Sequence, residues 1–91
     1  MTEKHHHAET KRVIDRLSRA AGHLEAIKKM VTEDRDCSEV LIQLAAVRSA
    51  INNIGKIVLN DHMEHCVEEA IKTGDKEALS RFQAAIDQFL K

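Results

Sequence analysis

Between Cys37 and Cys66 the chain reads C-S-E-V-L-I-Q-L-A-A-V-R-S-A-I-N-N-I-G-K-I-V-L-N-D-H-M-E-H-C. Val40, Leu44, Val47, Ile51, Ile54 and Val58 follow one another at steps of four, three, four, three and four residues. That rhythm is the seam of an α-helix packed against other helices, and it fits no strand. A step of three back from Val40 reaches Cys37, and steps of four beyond Val58 reach His62 and then Cys66. The two cysteines of the sequence and an imidazole therefore share one helix face.

His62 and Cys66 stand at i and i+4, so their side chains meet on consecutive turns and can chelate one ion. Cys37 is too far away to join them from the same helix: at about 1.5 Å rise per residue it lies roughly 37 Å from His62. If all three form one site, Cys37 comes from a second, antiparallel copy. Two thiolates and one imidazole suit three-coordinate Cu(I), whereas structural zinc lacks its fourth ligand here. His65 is available as a fourth donor, but it lies on a different face from His62.

Ninety-one residues without proline, tryptophan or tyrosine, and with 43% hydrophobic content, point to an all-α protein. A core this small gains from oligomerisation. No apolar run reaches the roughly 18 residues of a membrane span, and the start M-T-E-K-H-H-H lacks the form of a signal peptide. A cytoplasmic protein with reduced cysteines is expected. Charge is uneven although the net is −1. Seven basic and four acidic residues precede Thr32, against seven and eleven from there on. Arg12, Arg16 and Arg19 follow helical spacing and can track a phosphate backbone. No paired carboxylates, nucleophile with its base, or phosphate-binding glycine loop is present, so catalysis is not expected.

In chain order, residues 1–8 form an expected disordered tail with a short tract, His5, His6 and His7. Residues 9–91 form one helical domain, with helices expected over about 9–31, 37–73 and 76–90. Val13, Leu17, Ala20, Leu24, Ile27 and Val31 repeat the same seam, so the first two helices should lie side by side as an antiparallel hairpin. Ala20, Ala21 and Gly22 suggest a close helix crossing. His23 reads as a surface or interface residue, not a ligand. Asp36 and Glu39 resemble a capping box. Cys37 falls in the first turn, where free N–H groups and the helix dipole favour a thiolate. The central helix, about 54 Å long, exceeds what one chain needs to cover its own core. Leu41, Ile42, Ala45, Ala46, Ile57 and Leu59 widen its apolar surface, so it should pack on more than one side. Gly74 stops it as a C′ residue. The last helix should lie across a bundle end or join subunits, with Phe82 and Phe89 in the core.

Three segments resemble the copper-sensitive operon repressor family of bacterial transcriptional regulators. They are R-L-S-R-A-A-G-H-L-E-A-I, D-C-S-E-V-L-I-Q-L-A-A-V-R-S-A and D-H-M-E-H-C-V-E-E-A-I-K-T-G-D-K-E-A. The resemblance spans nearly everything after about residue 9. It implies a three-helix chain with a long central helix, a four-helix-bundle homodimer, and a disc-shaped homotetramer. In copper-sensing members a Cys–His–Cys set binds Cu(I) between subunits, and it falls on Cys37, His62 and Cys66. Ligand binding then releases operator DNA and derepresses export or detoxification genes. The family's basic DNA-facing positions match Arg16 and Arg48, with Arg19 and Lys56 beside them.

The same resemblance carries alternatives. Copper sensors often place a tyrosine before the first cysteine and a glutamate after the second helix; here Asp36 replaces the tyrosine, and Glu77 matches the glutamate. Persulfide-sensing relatives use two cysteines, here Cys37 and Cys66, crosslinked between subunits with persulfide as inducer and no metal. They commonly lack the histidine that His62 supplies. Nickel/cobalt sensors prefer a histidine at the place of Cys66. A reading of another class is a cytosolic copper buffer or helical scaffold that binds no DNA.

Overall fold

The computed structural model describes residues 9–91, the side chain of residue 64 excepted. Its helices are α1 (Thr10–Thr32), α2 (Cys37–Thr73) and α3 (Lys76–Leu90), and the described residues contain no strand. Helix α1 is displaced by one residue from its expected bounds, and α2 and α3 have theirs. The His5–His7 tract lies outside the described residues. No helix among them is long and apolar enough to cross a membrane.

Local chemistry accounts for the helix ends. After α1 the chain turns at Asp34, with φ 60°. The Asp34 amide donates to the Val31 carbonyl at 3.1 Å, and the Arg35 amide to that of Met30 at 3.0 Å. This is the Schellman pairing, which satisfies last-turn carbonyls, and aspartate is among the few side chains that visit the left-handed region. Gly74, with φ 71°, ends α2, its amide donating to the Ala70 carbonyl at 2.8 Å. Asp75 then caps α3, its carboxylate accepting the Ala78 amide at 3.0 Å. The capping box expected at the start of α2 is not completed. Glu39 instead pairs with the Arg35 guanidinium at 2.6 Å, and the Asp36 carboxylate accepts from the Ser38 hydroxyl. A charge-assisted bond to a guanidinium is the stronger option for Glu39.

The described chain groups into two compact units that divide at Gly55. In Thr10–Ile54, α1 and the first half of α2 form the expected antiparallel hairpin, with His23 facing Gln43, and Arg16 and Ala20 near Ala50 and Ile54. Ala20, Ile27, Val47 and Ile54 are its buried apolar residues. These are alternate members of the two seams. The intervening ones, Leu17, Leu24, Val31, Leu44 and Ile51, remain 42% to 61% exposed. Each stands three before or four after a buried residue, and at 3.6 residues per turn that turns them all to one side. Arg16, His23, Gln43 and Ala50 stand four before or three after and line the other side. The hairpin thus has one apolar flank and one polar flank. Leu41 and Ile42, at 64% and 65% exposure, extend the apolar surface of α2 as its composition led us to expect.

Gly22 does not mark a close crossing within the chain. A β-carbon there meets nothing within 4 Å, because residue 22 points away from the partner helix. Gly22→Ala should therefore stabilise the fold by about 1 kcal/mol, the difference in helix propensity. A thermal melt that is unchanged or lower would contradict the placement.

In Gly55–Lys91 the second half of α2 and α3 form another antiparallel pair. The Gly74–Asp75 connection is too short to carry α3 across a bundle end, and α3 runs back along α2. Phe82 and Ile86 border an apolar cleft of about 270 Å³ with Val58 and Leu59, and the Phe89 ring lies on Gly55. Neither phenylalanine is in a closed core: Phe82 is half-buried and Phe89 is 44% exposed, since a single helix lies beneath them. A β-carbon at Gly55 would be built into the Phe89 ring. Gly55→Ala gains helix propensity but displaces that ring. Overpacking of this kind costs about 1–3 kcal/mol, so its melt should fall where that of Gly22→Ala rises.

Candidate metal centre and nucleic-acid face

Helix α2 positions every expected ligand. Cys37 opens it, exposed, and its heptad successors Leu44 and Ile51 belong to the apolar flank. His62 and Cys66, both half-buried, stand one turn apart in the second half of the same helix. Both cysteines are free. Cys37 belongs to one compact unit, and His62 and Cys66 to the other. Among the described residues no three histidine, cysteine or carboxylate side chains of one chain gather closely enough to hold a metal. Two soft sulfurs and one imidazole nitrogen nevertheless fit a thiophilic cation chemically.

Asp36 and Glu77 are both at the N-terminal ends of helices. Asp36, immediately before Cys37, is exposed and holds Ser38; Glu77 is exposed in the first turn of α3. His65, half-buried, follows His62 by three residues.

The basic residues divide. Arg16 and Arg19 line a cleft of about 190 Å³ on the polar flank of the hairpin, with Ala20, His23, Ala50 and Ile54. Arg12, one turn earlier, does not line it, and neither does Arg48, which is exposed. Lys56 is exposed in the second half of α2. His23 Nε2 lies 2.7 Å from Gln43 Oε1, so this imidazole is tied across the hairpin. Sequence reasoning left His23 as a surface or interface residue and did not connect it with the arginines. The signal was the spacing of 16, 19 and 23, which places three nitrogen-bearing side chains on successive turns.

Comparison with known proteins bears on both features. The family model described as metal-sensitive transcriptional repressor matches residues 9–88. The copper-sensing transcriptional repressor CsoR of Bacillus subtilis (strain 168) is 39% identical over 84 residues, 91% of this chain and 83% of that protein. Among solved structures, the copper-sensing repressor CsoR with Cu(I) from Geobacillus thermodenitrificans NG80-2 is similar with a TM-score of 0.84 and 33% identity. That likeness covers 100% of this chain and 95% of the other. The nickel-responsive transcriptional regulator InrS is similar with a TM-score of 0.74 and 40% identity, over 93% and 97% of the two chains.

Proposed function

The chain belongs to the family of metal-sensitive transcriptional repressors, and on that premise we propose that it is a cytoplasmic, Cu(I)-responsive one. It binds operator DNA as an assembly of identical subunits and releases it when Cu(I) occupies Cys37 of one subunit and His62 and Cys66 of another. The observation that carries the reading is the donor set itself: two thiolates and an imidazole on one helix, in a chain similar over its whole length to a repressor solved with Cu(I). When bound, Cu(I) supplies a soft, closed-shell cation that thiolates hold tightly. His62 and Cys66 offer a ready pair of ligands from consecutive turns, and Cys37 completes the set.

Completion ties the first turn of one α2 to the last third of another. A ligand that needs both can favour one packing of the subunits over its alternatives, and only that difference in affinity can move DNA binding. The apolar flank of the hairpin, which carries Leu17, Leu24, Leu44 and Ile51, is the surface that a second copy covers in the homodimer, and dimers pair into a homotetramer. Arg16 and Arg19, with Arg48 and Lys56 elsewhere on α2, supply the phosphate contacts. Asp36 and Glu77 adjoin the ligands and relay their occupancy.

A second reading, response to Ni(II), is favoured by the 40% identity with the nickel-responsive InrS, and imidazole donors suit that ion as well. One experiment separates the readings. Anisotropy of labelled promoter DNA is followed with fully reduced protein while Cu(I), Ni(II) or a low-molecular-weight persulfide is added anaerobically. Release by about one Cu(I) per subunit, as the three-donor site requires, and by neither other reagent, is expected. Release by Ni(II) alone installs the second reading. Release by persulfide alone, with a mass increase that links subunits, makes Cys37 and Cys66 a sulfur sensor. Absence of DNA binding throughout would leave a copper buffer or scaffold.

A further inference from the structure

We infer that the cleft on the polar flank of the hairpin seats one backbone phosphate of the DNA, and that His23 serves there as a third, protonation-dependent cation beside Arg16 and Arg19. The inference rests on the reading of the chain as a DNA-binding repressor and adds a ligand group, a binding residue and a pH dependence to it.

Four observations lead to the phosphate. The cleft is lined by two guanidiniums and an imidazole on successive turns of α1, over a floor of Ala20, Ala50 and Ile54. No carboxylate lines it, so nothing in it neutralises the arginines. Its volume of about 190 Å³ is several times the roughly 30 Å³ share of one water, which leaves room for a tetrahedral oxyanion. It also opens on the side of the hairpin opposite the apolar flank, so a second copy seated on Leu17, Leu24, Leu44 and Ile51 leaves it accessible. Paired guanidiniums are the side chains best shaped to grip a phosphate through two parallel N–H bonds.

The role of His23 follows from its fixed partner. Gln43 Oε1 lies 2.7 Å from Nε2 and, as a carbonyl oxygen, can only accept, so the bond is kept whenever Nε2 carries a proton. The groups facing the imidazole are Arg16 and Arg19 on α1, and Gln43, Ala50 and Ile54 on α2, of which the α2 residues do not titrate. With the cleft empty, a third positive charge meets two others. With a phosphate seated, all three share an anion. Proton and DNA therefore assist each other's binding, and imidazoles change charge between about pH 5 and 8.

The test is the affinity of operator binding by the metal-free, reduced full chain at pH 6.0 and pH 8.0, at one salt concentration. The seated phosphate already meets two guanidiniums, so a third cation tightens its binding without adding a neutralised phosphate, and the slope of log K against log salt should stay the same. The wild type should bind several-fold tighter at pH 6.0. His23→Gln retains a polar side chain of similar reach but cannot charge, and should give the same affinity at both pH values. His23→Lys should give the tighter binding at both. Other imidazoles affect the wild type and the variants alike and cancel in the comparison. A wild-type pH difference that persists in His23→Gln, or in His23→Lys should the former fail to fold by circular dichroism, overturns the inference. An Arg16→Ala variant that binds as tightly as the wild type would overturn the phosphate seat, whereas failure of the wild type to bind DNA at either pH would instead remove the DNA-binding reading beneath it.

Discussion

Cys37→Ala protein is expected to bind operator DNA as tightly as the wild type and to keep hold of it when Cu(I) is added. The thiol is exposed in the first turn of α2 and contributes nothing to the buried residues of the hairpin, so its loss should leave fold and DNA face intact. What it removes is the donor on which the inter-subunit link depends. His62 and Cys66 remain as a two-ligand pair on one helix, able to capture an ion without reference to a second subunit. Coupling between an effector and DNA in such regulators is typically about 1–3 kcal/mol, or about 5- to 150-fold in affinity. The ratio of DNA affinities without and with Cu(I) should therefore fall from that range to near one. Anisotropy titrations with and without stoichiometric Cu(I) measure it directly. A variant that still releases DNA as the wild type does would show that the response needs no Cys37, and the shared site would be wrong.

The second large effect concerns assembly. Ile51 is 43% exposed in the single chain, on the flank that also bears Leu17, Leu24 and Leu44. In a symmetric dimer built on that flank the residue is buried twice, once from each copy. Ile51→Asp forfeits somewhat under half of the about 1.5–3 kcal/mol that full burial of such a side chain is worth, in each copy, and adds an unpaired carboxylate whose burial costs several more. Every 1.4 kcal/mol is tenfold, so the dimer dissociation constant should rise by at least about a thousandfold. Sedimentation at micromolar concentration should show monomers where the wild type is oligomeric. Operator binding should weaken with it, and its salt slope should flatten, because one subunit neutralises fewer phosphates. Ser49→Asp, two residues away on the outward face of α2, is the control and should leave the assembly unchanged. If Ile51→Asp stays oligomeric, the subunits meet elsewhere.

These two expectations draw on different kinds of information. The helices, their ends and the positions of the candidate donors could be read from the residues alone, because the causes are local. Seams at steps of three and four set a helical period, Gly74 supplies a left-handed stop, and Cys37, His62 and Cys66 are placed by counting along one helix. Counting also showed that one helix cannot bring Cys37 to the other two. Where reasoning from local pattern went astray, a neighbour decided. Gly22 looked like a crossing point and faces away from α2, whereas Gly55 is the one pressed by an aromatic ring. Glu39 had the right spacing for a capping box, but Arg35 took it.

Sequence by itself determined that this chain forms three helices, where each one stops, and which face of α2 holds sulfur and imidazole. Tertiary structure alone decided which half of each seam is buried, which half stays exposed, and which polar side chains meet across the hairpin. Periodicity fixes the angle at which a side chain leaves its helix. It says nothing about what stands opposite, and burial, the His23–Gln43 bond and the basic cleft are all properties of what stands opposite.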